Sequence, residues 1–464
     1  MLSMLSIRQL GAPATGAVNT GRKRAGLGWL GRGVYVRGMD THCRCLESSF
    51  GLADTLRRLG LMLGVFMSLS ITSVGDEFEP PIRHMWECGT PQAGVRGAGF
   101  PILEKAEHRQ LYLATQETGG YSHHSRLFHH GGRFYAMWSN HRHGEDGPGQ
   151  RVLWSWSDDG ETWRKWTELY PSPMPMEPSD EPGFVLTAGG WKVVGDRLFA
   201  LASANSVVGF ENSERTSFRE RPDRVHKFRR RERRGRFARQ VLPDGTLGKI
   251  FCLGKTPPEQ DQLTFQAAPS DDPQFAPLAK AIREQFPRRR LPKGIDTNRL
   301  CEATYYQAKD GRQVVLMRDD CYSHRLYVSI SDDGRAWPTA YPTDIPDSPS
   351  LTTNVALPDG TVLLIGNQMA PAFDNPGKPD HYGRDPLLVS VSADGYTFSR
   401  AYALRCGQQE WHIPRKLVRG RGGGAQYPSA LVHGKHLYVL YSMGKEDVWI
   451  SRVPLSDLGL SGAR

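Results

Sequence analysis

Six places along the chain carry side chains able to do chemistry. His123-His124 lead into Ser125-Arg126-Leu127, and Asp146 lies in the turn-rich loop Gly144-Glu145-Asp146-Gly147-Pro148-Gly149. Glu302 opens the apolar run Ala303 to Met317, with Arg318 16 residues after Glu302. Arg384 begins Arg384-Asp385-Pro386-Leu387-Leu388-Val389, and Tyr427 stands in Gln426-Tyr427-Pro428-Ser429-Ala430-Leu431. Guanidinium groups bind carboxylates in bidentate fashion. A tyrosine is a poor nucleophile unless a carboxylate takes its proton, and a histidine exchanges a proton near neutral pH. Each residue also has a structural reading. Arg318 could pair with Asp319 or Asp320, Arg384 with Asp385, Tyr427 could be a rim aromatic, and His123 and His124 could be strand or rim histidines. His129-His130, beside a glycine turn, read as surface residues. No HxxEH or HExxH pattern occurs, so neither a metal nor a cofactor is expected.

The elements that must position these residues are strands. Ser-x-Asp-Gly-x-x-aromatic occurs three times: Ser157 to Trp163, Ser331 to Trp337 and Ser392 to Phe398. Each copy follows an apolar or alternating run, so the pattern is an internal repeat of a strand and its turn. Within it Asp and Gly make the turn, Ser and Asp can bond backbone groups, and the aromatic packs beneath. The Asp residues therefore read as turn-formers, not catalysts. The copies start 174 and 61 residues apart. One period of roughly 60 residues fits both gaps if two degenerate copies lie in the longer one, and a four-stranded blade with generous loops has about this length. Further hairpins are expected at Ser125 to Trp138, Val193 to Leu201, Asn354 to Ile365 and Ala430 to Leu440, each with two apolar runs about a tight Gly turn. The 50 Gly and 32 Pro suit an all-β chain. Pro277 to Phe286 is the one expected short helix, an insertion. Residues 76–464 at this period predict a single domain, a β-propeller of six or seven blades.

The repeat resembles the Asp-box of sialidases and related β-propeller proteins, over roughly residues 110–455. In sialidases an arginine cluster binds the substrate carboxylate, a Tyr–Glu pair is the nucleophile and an Asp the acid/base. The resemblance implies that Tyr427 is the nucleophile, Glu302 its partner, Arg318 and Arg384 carboxylate-binding arginines, and Asp146 the acid/base. The chain departs from the family at the strand that should supply the first arginine. There Tyr121-Ser122-His123-His124-Ser125-Arg126 stands where an Arg-Ile-Pro motif is expected, leaving Arg126 out of register. His123-His124, with Phe134 to Asn140 and Glu145 to Arg151, is also similar to propeller polysaccharide lyases and rhamnosidases, in which a channel histidine is catalytic. The function implied is a sialidase-type exo-glycosidase on acidic glycans. The alternatives are a His/Tyr lyase, or another glycosidase, on uronate or deoxysugar polysaccharide, and a non-catalytic glycan-binding propeller.

The formal net charge of +10 is unevenly placed. Arg219 to Arg239 holds eleven basic residues against three acidic ones, either a solvated loop or a contact for a polyanion. Without a nucleic-acid-binding pattern, an anionic glycan is the expected partner, nucleic acid is not, and the protein is expected to be a monomer. Seven Cys include no CxxC pair; a Cys301–Cys321 bridge across one hairpin is conceivable. Leu56 to Gly75 reads as a secretory signal: Arg57-Arg58, then apolar Leu59 to Ile71, too short to span a bilayer, then Ser73-Val74-Gly75. Residues 1–75 are thus expected to be an over-extended N-terminus plus signal, with an uncleaved membrane anchor as the rival reading, and residues 76–464 a secreted or periplasmic protein without a stable membrane span in its mature form.

Overall fold

Short apolar runs bounded by glycine turns become antiparallel strands throughout the chain. The computed structural model describes residues 81–460 except 93, 175–182, 209–229, 258–259, 261–262, 287–289, 297–298, 321–322, 370–382 and 415–422. The expected signal segment, Cys43, Cys45, Cys321 and the part of the arginine cluster from Arg219 to Arg229 lie outside the described residues, while its remainder, from Arg230, is in a strand. Cys301 is a free cysteine.

Strand β1 (Glu107–Tyr112) comes first. It is followed by a sheet in sequence order, β2 (Tyr121–His130), β3 (Arg133–His141), β4 (Arg151–Ser157) and β5 (Thr167–Tyr170). The next holds β6 (Gly183–Val194), β7 (Arg197–Val208), β8 (Arg230–Val241) and β9 (Leu247–Cys252). After helix α1 (Ala276–Glu284) comes a sheet of β10 (Leu300–Gln307), β11 (Gln313–Asp319), β12 (Arg325–Ser331) and β13 (Tyr341–Pro346). A fourth holds β14 (Thr353–Ala356), β15 (Val362–Gly366), β16 (Leu387–Ser392) and β17 (Phe398–Arg405). The last consists of β18 (Ala425–His433), β19 (His436–Met443) and β20 (Asp447–Pro454), and β1 pairs antiparallel with β20 as its outer strand. All four expected hairpins are antiparallel strand pairs.

The described residues therefore hold five four-stranded sheets, against an expectation of six or seven. Among the described residues the 174-residue interval holds one intervening sheet, in which β6, β7 and β8 run to 12 residues each, and α1 with its flanking segments takes up further chain. The turn in the corresponding place, between β8 and β9, keeps only Asp244-Gly245 of the repeat, with Leu242 for the Ser and Gly248 for the aromatic; Asp244 Oδ1 accepts the Thr246 N–H at 2.8 Å.

Apolar side chains fill the spaces between successive sheets. Met137 and Trp154 share one core cluster with Leu186 and Phe237, Leu316 shares another with Leu364, Val389 another with Val439, and Leu153 another with Ile450. Helix α1 buries Ala279 and Ile282, three residues apart on one face, against Phe199 and Phe251. β15 and β16 are buried at every position, the pattern of strands covered on both faces.

The three repeat turns close alike. Ser157, Ser331 and Ser392 Oγ each accept the N–H of the Gly three residues on, at 2.8–2.9 Å. Asp159 Oδ1 accepts the Glu161 and Thr162 N–H, Asp333 Oδ1 those of Arg335 and Ala336, and Asp394 Oδ1 those of Tyr396 and Thr397. The glycines have φ of 75°, 68° and 86°, a region closed to most other residues, which explains the invariant Gly of the pattern.

Candidate active site

The site is assembled by one irregularity used three times. Strand pairing shifts between His123 and Arg126 in β2, between Cys301 and Thr304 in β10, and between Gln426 and Ser429 in β18. Within these bulges a non-glycine residue takes positive φ: His124 at 56°, Glu302 at 49° and Tyr427 at 53°. A bulge re-aims a side chain, and a left-handed non-glycine residue persists only where its surroundings hold it. β6 carries the same shift, but its left-handed residue is Gly190 and supplies no side chain.

Tyr427 is buried and donates its hydroxyl to Glu302 Oε1 at 2.8 Å. Arg318 Nη1 donates to Glu302 Oε2 at 2.9 Å and to the Tyr427 hydroxyl at 3.1 Å, while its Nη2 pairs with Asp320 at 2.9 Å. Arg318 thus pairs with Asp320, as its structural reading expected, and also reaches Glu302 and Tyr427. Arg384 does not pair with Asp385, whose Oδ1 accepts the Gly407 N–H. It donates to Gln426 Oε1 and to the Pro349 carbonyl, with its Cζ 5.3 Å from the Tyr427 ring centroid. The His123 ring is 3.9 Å from that of Tyr427 and 4.3 Å from that of His124. His124 Nδ1 is 3.2 Å from Ser139 Oγ. Arg126 follows the bulge, opposite Met137, within electrostatic reach of Glu302 and His123. His129 stacks on His433 at 3.9 Å, a packing role apart from this cluster.

Asp146 is placed differently from its neighbour. Its N–H donates to Gln150 Oε1 at 3.0 Å, and it is Glu145 whose carboxylate enters the cluster. Glu145 Oε2 accepts from Lys445 Nζ at 3.1 Å, and Oε1 is 3.5 Å from His123 Nε2. Lys445 is buried, with Nζ 5.1 Å from the Tyr427 ring centroid and 5.8 Å from that of Tyr121. Asp347, also buried, follows β13 within electrostatic reach of Arg318, Glu302 and Arg384. Sequence reasoning missed Glu145, Lys445 and Asp347. Only Glu145 had a signal, standing beside Asp146 in the same loop.

Burial and charge set the protonation states. Burial first, and then Lys445, His124, Arg384 and Arg126, hold His123 well below the usual histidine range, so its imidazole is neutral. Burial and the Glu302 charge push Tyr427 up, against the pull of Arg384 and Arg318. Burial would raise Glu145, but Lys445 and His124 overcome it and bring the carboxyl down to about 2. Burial pushes Asp347 up to about 8. Ionising Tyr427 thus requires a base, and Glu302 is in hydrogen-bond contact with it.

Next to Arg384, whose carbonyl would lie 2.1 Å from a Cβ added at Gly424, a cavity of about 480 Å³ is lined by Gln408, Gln409, Glu410, Trp411, Ile413, Pro414 and Gly423. Only glycine permits that approach.

Residues 271–439 match the family model of the BNR repeat-like domain. A solved structure described as a sialidase superimposes with a TM-score of 0.57 at 20% identity, over 80% of this chain and 35% of that one. The chain thus shares the fold of that sialidase, and its residues 271–439 are similar to the BNR repeat-like domain. It spans about a third of the length of that sialidase. Trypanosoma rangeli sialidase is also similar, as a mutant with trans-sialidase activity at TM-score 0.45 and 13% identity, over 78% of this chain and 60% of that one. No curated protein sequence matches. Among the described residues no helix is long and apolar enough to cross a membrane.

Proposed function

We propose that this protein is a secreted exo-glycosidase of sialidase type acting on acidic glycans, with the five sheets as blades of a propeller whose first strands line the site. The observation that carries the reading is the Tyr427 hydroxyl held 2.8 Å from Glu302, with Arg318 on both. Tyr427 Oη attacks the anomeric carbon as Glu302 takes its proton, and the glycosidic bond breaks to the leaving oxygen. The carboxyl-bearing loop Glu145-Asp146 supplies that oxygen's proton, from Asp146. Water then attacks the glycosyl–tyrosine bond: the Asp146 carboxylate takes the water's proton, its oxygen joins the anomeric carbon, and Glu302 returns its proton to the departing phenolate. Arg318 and Arg384 hold the substrate carboxylate, which takes the place of Gln426 on Arg384. Arg126 adds positive charge behind Glu302, so the missing first arginine is replaced by position, not by motif.

A second reading, elimination from a uronate polysaccharide, is favoured by one specific contact. Neutral His123 lies 3.9 Å from the Tyr427 ring, with Glu145 3.5 Å behind it. There His123 takes the α-proton and Tyr427 protonates the leaving oxygen. The deciding experiment incubates the purified protein with sialosides and uronate polysaccharides, reading free sugar and the absorbance of an unsaturated uronate. Free sialic acid without the chromophore supports the first reading. The chromophore refutes it in favour of the second, and silence on both refutes both.

A further inference from the structure

His123 and His124 are sequence neighbours whose rings lie on one side of the strand. In a regular strand successive side chains point to opposite faces. Here the bulge in β2, with His124 at φ 56°, brings the two rings to 4.3 Å. The loop between β3 and β4 brings Glu145 to the same place. One ring nitrogen of each histidine and one Glu145 oxygen all lie within 4.8 Å of one another.

The His123 ring is fully buried and neither of its nitrogens is hydrogen-bonded. A buried polar atom without a partner is costly, and in native sites such an atom normally meets a water, an ion or a ligand. Nε2 stands 3.5 Å from Glu145 Oε1. Two ligands of a tetrahedral zinc, bound at 2.0–2.2 Å, lie about 3.4 Å apart, so this spacing suits a shared ion.

We propose that His123, His124 and Glu145 form a binding site for one divalent transition-metal ion of the Zn²⁺ class. Two imidazoles and a carboxylate are a borderline donor set, which selects Zn²⁺ over Mg²⁺ or Ca²⁺. Three protein ligands leave a coordination position for water or a substrate oxygen beside Tyr427. Lys445, 3.1 Å from the other Glu145 oxygen, opposes the ion by charge and competes for the carboxylate. The site therefore exchanges an internal ammonium for a metal.

The other cluster of this kind among the described residues, His412, Glu446 and Asp447, is closed. Both Glu446 oxygens accept backbone N–H groups, from His412 and Ile413. Asp447 Oδ1 accepts the Ala114 N–H, and its Oδ2 is met by Gln110, Gln409 and His412. These carboxylates fasten a loop to the sheet.

The proposal stands apart from the glycosidase reading, and its test reads binding, not turnover. Chelator-stripped full-length protein is titrated with ZnCl₂ by calorimetry and with Co²⁺ by visible absorption, with circular dichroism to check folding. The expected result is a saturable Zn²⁺ site weakened about 10- to 100-fold or more by His123→Ala, His124→Ala and Glu145→Gln, and tightened by Lys445→Met. Should one variant misfold, the other two carry the test. Absence of saturable binding overturns the proposal. So does binding unchanged in folded His124→Ala and Glu145→Gln proteins, which places the ion elsewhere on the chain.

Discussion

Replacing Glu302 by Gln removes a charge and almost no volume. The Tyr427 hydroxyl, 2.8 Å from Oε1, keeps a hydrogen-bond acceptor but loses its base. A positioned general base contributes about 10²- to 10⁴-fold, or roughly 3–5 kcal/mol at 1.36 kcal/mol per decade. The stability effect should be smaller. Breaking a buried ion pair can cost about 3–5 kcal/mol, but Arg318 keeps Asp320 at 2.9 Å and the Glu302 side chain is 25% exposed. About 1–2 kcal/mol is therefore expected. The assay pairs kcat on a sialoside released in the product panel with a thermal melt. Tyr427→Phe should lose at least as much turnover at a stability cost of about 1 kcal/mol, the worth of an ordinary hydrogen bond. Because the two residues act as one unit, the double variant should be no slower than Tyr427→Phe alone. Turnover of Glu302→Gln within tenfold of the parent, or losses that simply add, would refute the nucleophile–base assignment.

Other outcomes follow from the same geometry. Arg384→Met should raise KM for a carboxylate-bearing substrate by tenfold or more and leave a neutral glycoside unaffected; equal effects on both would remove Arg384 from substrate binding. In the first repeat turn, backbone N–H groups of Thr162 and Glu161 hold Asp159 down to about 2, from an ordinary 3.8. A depressed carboxyl stabilises the fold above its unfolded value and loses that stabilisation as pH falls through the folded one. The melting-temperature gap between the parent and Asp159→Asn should thus be present at about pH 6 and close towards pH 2; a constant gap would mean that charge is irrelevant to the turn. Asp347 has the opposite sign. Raised to about 8 by burial, it favours the fold when protonated and costs stability as pH rises through that value. Asp347→Asn should match the parent at about pH 4 and melt higher at about pH 9, and the reverse order would contradict a buried, neutral carboxyl.

How much of this protein was legible in its sequence depends on the reach of the interaction. Each repeat turn is closed by bonds between residues two or three apart, such as Ser157 to Gly160 and Asp159 to Thr162. A local pattern therefore fixes it, and the hairpins and helix α1 were readable for the same reason. The number of sheets was not, since the period says nothing about β6–β8 growing to 12 residues. The residues of the Tyr427–Glu302–Arg318 cluster were nameable only by resemblance. Their contact joins strands 125 and 109 residues apart in sequence and exists only when the first strands of separate sheets converge.

The aim of those side chains is a tertiary decision. Left-handed backbone at His124, Glu302 and Tyr427 has no signature in their residue types, which ordinarily avoid it; it is imposed by bulges that the packed sheets hold in place. The same cause decided between neighbours, turning Glu145 rather than Asp146 towards His123 and Lys445. Nothing in Gly444-Lys445-Glu446 or Pro346-Asp347-Ser348 marks a buried charge, because burial belongs to the assembled sheets and not to the segment. The sequence by itself determined the turns, the strands and the kinds of side chain available. Only the tertiary structure decided which charges lose their water and face one another, since desolvation and convergence arise when distant strands are packed together.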